Sequence, residues 1–87
     1  MDGGELVSRL IEAGLAAKYL GGADERIMGG AICVPTEELG DVYQLAFSIS
    51  RSPEGWMVLV DQVGQLILEV QVSDLEQALA IVFREYG

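Results

Sequence analysis

Three short apolar runs, separated by turn residues and followed by a capped helix, fill residues 42–86 and constrain the fold more than any other feature. Residues 42–51 and 66–72 alternate between apolar and polar side chains, which is typical of strands with one buried face. Residues 56–61 are apolar on both faces. The connecting segments are short and contain Pro, Asp and Gly, so the three runs predict an antiparallel meander.

Both ends of the chain show helical periodicity. Residues 2–20 place apolar side chains at helical spacing, begin with a capping box formed by Asp2 and Glu5, and precede the helix-ending pair Gly21-Gly22. A second capping box, Ser73-Asp74-Leu75-Glu76, opens the closing helix. The sequence therefore predicts one helix at each end of the chain.

Residues 27–34 are a fourth candidate strand, interrupted by Gly29-Gly30, where a bulge or a close backbone approach is expected. The predicted order is helix, four strands, helix. This order is that of an α+β two-layer sandwich, an antiparallel sheet with both helices on one face. The chain of 87 residues is expected to form a single domain over 1–87.

The net charge of −9 excludes several partners. A strongly acidic chain repels phosphate backbones and anionic membrane surfaces, so nucleic-acid and membrane binding are not expected. The sequence contains neither an apolar run of spanning length nor the pattern of a signal peptide. Because Cys33 is the single cysteine, no internal disulfide is possible, and we expect a cytoplasmic protein.

The sequence offers little for catalysis. It contains no histidine, and Cys33 therefore has no imidazole base to activate it. The carboxylates Glu37, Glu38 and Asp41 share one predicted loop, where acid–base work or weak binding of Ca²⁺ or Mg²⁺ is conceivable, although a solvated loop is the simpler interpretation. We predict a protein that is not an enzyme and that has no catalytic residue, metal site or cofactor.

The register of residues 56–61 decides which side chains the predicted sheet leaves uncovered. A one-residue slip exchanges the two faces of a strand. In the register that we prefer, Trp56, Val58 and Val60 point toward the helices, whereas Met57 and Leu59 point away. In the alternative register these two sets change places. Both choices leave apolar side chains on the face away from the helices, here called the outer face.

The predicted function is protein binding through this outer face, and homodimerisation is the leading form of it. The contact residues predicted for the outer face are Ala46, Met57, Leu59 and Ile67, with Trp56 as the anchor if the register slips. The first alternative is an acidic inhibitor or immunity-type protein that neutralises a basic partner. A small acidic α/β dimer also resembles the type III secretion chaperones in composition and in the order of its elements.

A second alternative is metal handling by acidic side chains. Asp2, Glu5 and Glu12 on the first helix, with Asp24 and Glu25 after it, predict an acidic ridge over an antiparallel sheet. This layout is similar to that of frataxin, an iron-handling protein with two helices on one sheet. The resemblance implies a fold and a possible metal cargo and rests on no residue motif. A third alternative is an enzyme that uses carboxylates alone.

Overall fold

The structure is a computed structural model that describes residues 1–31, 35–36, 40–41, 45–62 and 65–86. The described elements comprise two α-helices and seven strands. In chain order they are α1 (Gly3–Glu12), β1 (Ala16–Leu20), β2 (Arg26–Ala31), β3 (Pro35–Thr36), β4 (Gly40–Asp41), β5 (Leu45–Ser52), β6 (Gly55–Gln62), β7 (Gln65–Val72) and α2 (Leu75–Tyr86).

Five strands form one antiparallel sheet in the order β1-β2-β5-β6-β7, and β3 pairs with β4 in a separate two-residue ladder. Helix α1 packs on β1 and β2, and α2 packs on β5, β6 and β7. Side chains from both helices and from one sheet face share a single buried cluster, in which Leu6, Ile49, Val58 and Val82 are fully buried. The predicted α+β class and two-layer arrangement are therefore confirmed, with five strands in the main sheet where four were predicted.

The first helix is shorter than predicted, because it ends at Glu12 and the chain then turns into a strand. Gly14 has a φ of 92°, which glycine adopts without a steric penalty. The amide of Gly14 donates to the Ile11 carbonyl and the amide of Leu15 donates to the Leu10 carbonyl, each at 3.0 Å. These two bonds form a Schellman cap that satisfies the last carbonyls of the helix.

The segment predicted as the second half of that helix is the edge strand β1, paired with β2 from Ala16↔Gly30 to Leu20↔Arg26. A side chain at Gly29 would collide with the backbone carbonyl of Ala16. The close backbone approach predicted for Gly29-Gly30 is thus confirmed at Gly29. Pairing with β2 overrides the helical periodicity of this segment, because tertiary contacts outweigh local propensity.

The caps of the two helices differ in their agreement with the sequence. The Glu5 amide donates to Asp2 Oδ1 at 2.8 Å, as the first capping box predicts. Helix α2 begins one residue later than predicted: the Gln77 amide donates to Asp74 Oδ1 at 2.8 Å. Gln77 Oε1 in turn accepts from the amide and hydroxyl of Ser73 at 2.9 Å each. The capping pair is therefore Asp74 and Gln77, and not the predicted Ser73 and Glu76.

A register shift in β7 changes the predicted orientation of one leucine. Val60 pairs with Leu68, whereas the next residue, Asp61, pairs with Leu66, so Ile67 is an extra residue in the ladder. A bulge of this kind reverses the alternation of side chains on its far side. Strict alternation over residues 66–72 would place Leu66 on the same face as Leu68; Leu66 lies instead on the other face and is 51% exposed.

Candidate protein interface on the outer sheet face

The pairing register assigns each strand residue to a face, because directly opposed residues in an antiparallel sheet point to the same side. The sheet face away from the buried cluster, the outer face, consists of three rows of opposed residues. The middle row crosses all five strands from β1 to β7. Its members are Lys18, Met28, Ser48, Leu59 and Glu69.

Two further rows flank this middle row. Both also cross the sheet from β1 to β7. One comprises Ala16, Gly30, Ala46, Asp61 and Leu66, and the other comprises Leu20, Arg26, Ser50, Met57 and Gln71.

The structure brings four of the predicted contact residues together on or beside this face. Ala46, Met57 and Leu59 belong to its rows and are half-buried. Ile67 occupies the bulge next to them and is 46% exposed. Trp56 lies on the opposite face, 5% exposed, in the cluster under the helices. The preferred assignment of faces for residues 56–61 is therefore confirmed, and Trp56 is a core residue with no access to the outer face.

The sequence prediction missed several residues of the outer face. Met28, Leu20 and Leu66 are 43%, 37% and 51% exposed, and Lys18 is exposed beside them. Two of these residues lie on β1, which was predicted as helix, and Leu66 was misassigned because of the bulge. Residues 16–20 could also have been interpreted as an alternating strand. A pattern of only five residues carries little weight, however, against the helical periodicity of the longer segment.

The outer face has a hollow next to its apolar residues. Its volume is about 400 Å³. The hollow is lined by Lys18, Leu20, Met28, Gly29, Ala46 and Phe47. The central strand β5 contributes to the three rows only residues with small side chains, Ala46, Ser48 and Ser50. The outer face therefore has a shallow depression along β5, between β2 and β6.

A different cleft lies at the end of the sheet where both helices begin. Its volume is about 370 Å³, and its lining includes Asp2, Asp74, Glu25, Arg51 and Trp56. Three carboxylates and one guanidinium line this cleft, so it does not favour an anion despite the two helix N-termini. Both aspartates are engaged in capping their own helices. Both helix caps therefore meet at this cleft.

The predicted acidic ridge is not assembled into a metal site among the residues that the structure describes. No group of three or more potential His, Cys, Asp or Glu ligands is found within those ranges. Glu5 lies 3.6 Å from Arg9 in an exposed pair one helical turn apart, and Glu25 accepts a hydrogen bond from the Tyr19 hydroxyl. Cys33, Glu37 and Glu38 lie outside the described residues.

Two tyrosines have pKa values above the ordinary range. The hydrogen bond that Tyr19 donates to Glu25 raises the pKa of Tyr19, and burial and the negative charges of Glu25 and Asp2 raise it further. Burial raises the pKa of Tyr86, partly offset by a hydrogen bond with the Ala31 backbone. Both phenols therefore stay neutral at physiological pH, which suits a structural role.

Comparisons with known proteins identify no relative. The chain matches no protein-family model, and no significant similarity was found to a curated protein or to a solved structure. Within the described ranges, no helix has the length and apolar character needed to cross a membrane. The geometry of the outer face is thus the main evidence on function.

Proposed function

We propose that this protein is a small, acidic, non-enzymatic binding module that contacts another protein through the outer face, most simply a further copy of itself, in the cytoplasm. The observation that carries the proposal is the set of apolar side chains exposed on one sheet face while the helices cover the other. Met28, Leu66 and Ile67 each have more than two fifths of their surface exposed. Exposed apolar side chains grouped on one face of a sheet are typical of protein contact sites.

The size of the outer face supports a moderate affinity. Five strands and three rows cover about 24 Å by about 20 Å, or about 480 Å² before side-chain roughness is included. Two such faces bury about 1,000 Å², the lower end of specific interfaces. At about 25 cal/mol per Å², the apolar share of that area yields several kcal/mol of gross association energy, much of it offset by lost freedom.

The net charge of −9 supports a second candidate, an acidic inhibitor of a basic protein. The two candidates respond differently to salt. A complex driven by charge weakens steeply as ionic strength rises, because salt screens attraction over about 8–10 Å. An apolar contact between two acidic copies weakens little, since screening also reduces the repulsion between their net charges.

Photo-crosslinking in the native source tests whether the outer face contacts a protein. A photoreactive phenylalanine derivative replaces Leu59 in the centre of the face, and a matched chain carries it in place of Ile11, which is 55% exposed on α1. We expect covalent adducts with a protein, either this chain or another, from position 59 and far fewer from position 11. Equal yields from both positions, or no adduct at position 59, would contradict the proposal.

A pair of substitutions links the adducts to the apolar surface. Replacing Met28 with Ser removes an exposed side chain from the outer face, while replacing Phe83 with Ser removes one of similar exposure, 38%, from α2. We expect Met28→Ser to reduce the adducts at position 59 and Phe83→Ser to leave them unchanged. If Phe83→Ser reduced the adducts and Met28→Ser left them unchanged, the contact would lie on the helix layer and the outer face would be rejected as the binding site.

A further inference from the structure

We infer that the outer face binds the outer face of a second copy, related by a two-fold axis that lies between the two sheets and runs parallel to strand β5. This inference rests on the proposed function and names its partner and geometry. A two-fold axis along β5 places β1 of one copy over β7 of the other, and β2 over β6. The residues of the central strand then face their own copies near the axis.

The middle row has the charge pattern that this arrangement needs. From β1 to β7 it reads basic, apolar, small, apolar, acidic, in the residues Lys18, Met28, Ser48, Leu59 and Glu69. The two-fold axis brings each Lys18 opposite Glu69 of the second copy and each Met28 opposite its Leu59. The row is therefore complementary to itself when reversed, which an isologous interface requires.

The two charges at the ends of the row are too far apart to pair with each other within one chain. Four strand spacings separate β1 from β7, which puts the backbones of Lys18 and Glu69 about 19 Å apart. Both side chains are exposed, and in the described part of the chain the recorded ion pairs involve other residues. A second copy brings these opposite charges together twice at the rim of the interface.

The other simple two-fold arrangement is disfavoured by the same charges. An axis across the strands would place each strand over its own copy, so that Lys18 faces Lys18 and Glu69 faces Glu69. Like charges opposed at an interface cost free energy and suppress that docking mode. The charge pattern thus selects the axis parallel to the strands.

Packing on the face agrees with the selected axis. Ala46, Ser48 and Ser50 line the central strand with small side chains, which allows the sheets to approach to about the 10 Å typical of stacked sheets. Leu59 of the second copy lies over β2, on the side of the face where the hollow beside Met28 is found. Leu59 of one copy is therefore placed next to the hollow of the other copy.

Charge exchange tests the arrangement. The dimer dissociation constant is measured by sedimentation equilibrium for the wild type, Lys18→Glu, Glu69→Lys and the double variant. We expect each single variant to weaken the dimer about tenfold, since two rim pairs become repulsive, and the double variant to return to within about twofold of wild type. Arg84→Glu and Glu12→Lys, on the helices, make the same changes in net charge and serve as controls with little expected effect.

A chemical crosslink supplies an independent measurement. Lys18 is the only lysine of the chain. A carbodiimide activates a carboxylate, and attack by the lysine amine then forms an amide with release of the urea. We expect the linked peptides of a covalent dimer to join Lys18 to Glu69, a pair too distant to react within one chain.

The outcomes separate this inference from the proposed function. A dimer that is insensitive to charge exchange, or that carries no Lys18 to Glu69 link, overturns the arrangement. A monomer at tens of micromolar whose position 59 crosslinks only to a different protein overturns the second copy as partner and leaves the binding function standing. A monomer without adducts at position 59 removes both.

Discussion

The guanidinium carbon of Arg51 lies 4.8 Å from the centre of the ring of Trp56. The two residues pair directly across the β5–β6 hairpin. Trp56 is buried under the helices, while Arg51 is exposed at the sheet end where both helices begin. The cation covers the face of the indole, so this pair closes the core at that end of the sheet.

Removing the cation from this pair is expected to destabilise the protein modestly. Arg51→Ala should lower the free energy of unfolding by about 0.5–1 kcal/mol, the range for exposed cation–π contacts, plus the lost packing of the stem. Arg51→Met keeps most of the aliphatic part of the side chain and removes the charge. The difference in unfolding free energy between Arg51→Met and Arg51→Ala therefore measures the packing of that aliphatic part. Urea unfolding followed by the fluorescence of the single tryptophan measures both. Equal stability of the wild type and both variants would show that the pair contributes nothing.

Gly14 is expected to be intolerant of a side chain, because its φ of 92° is unfavourable for other residues. Gly14→Ala should cost about 1–2 kcal/mol of unfolding free energy. Gly4→Ala is the matched control: Gly4 lies in the first turn of α1, where an added Cβ makes ordinary contact. That variant should gain about 0.5–1 kcal/mol in thermal or urea unfolding. If α1 continued through residue 20, Gly14→Ala would also stabilise.

The bulge at Ile67 predicts different roles for two nearby leucines. Leu66→Ser should change the free energy of unfolding by less than about 0.5 kcal/mol, because Leu66 lies exposed on the outer face. Leu68→Ala should cost about 1–2 kcal/mol, since Leu68 packs against the core. Unfolding at submicromolar protein separates folding from self-association. Similar costs for both substitutions would mean that β7 alternates without a bulge.

Alkaline pH is expected to destabilise the fold through its tyrosines. Tyr19 and Tyr86 have raised pKa values in the folded state. Their contribution to the free energy of unfolding is therefore fully present below pH about 10, where the phenols of the unfolded chain are still neutral. It is lost as the pH rises through the folded pKa values. Glu25→Gln should move the pKa of Tyr19 down toward its ordinary value and leave that of Tyr86 unchanged. Titration of carbon-labelled tyrosine rings by NMR follows each phenol separately.

The meander of β5, β6 and β7 could be predicted because its signals are local and consistent. Strict alternation in β5 identifies Phe47 and Ile49 as core residues, and both are buried. Short turns leave two registers for β6, and the turn chemistry favours the one that buries Val58 and Val60. Periodicity and turn residues therefore specify the strands and the buried faces of β5 and β6, whereas the bulge that turns Leu66 to the outer face was not predicted.

The first third of the chain was predicted less well, because local signals there conflict. Residues 2–20 have helical periodicity, but Gly14 permits a Schellman cap, and β2 offers unpaired backbone groups to Ala16–Leu20. Pairing between distant segments decides the outcome, and the five residues 16–20 are too short a local pattern to report it.

The sequence by itself determined the α+β class, the inward set of the central hairpin and the presence of apolar side chains on the outer face, because alternation and charge are properties of neighbouring residues. Only the tertiary structure decided which side chains share that face. Lys18 and Glu69 lie 51 positions apart in the sequence and yet in one row, since cross-strand pairing carries the register from β1 through to β7. The self-complementary charge pattern exists only once those five strands are side by side.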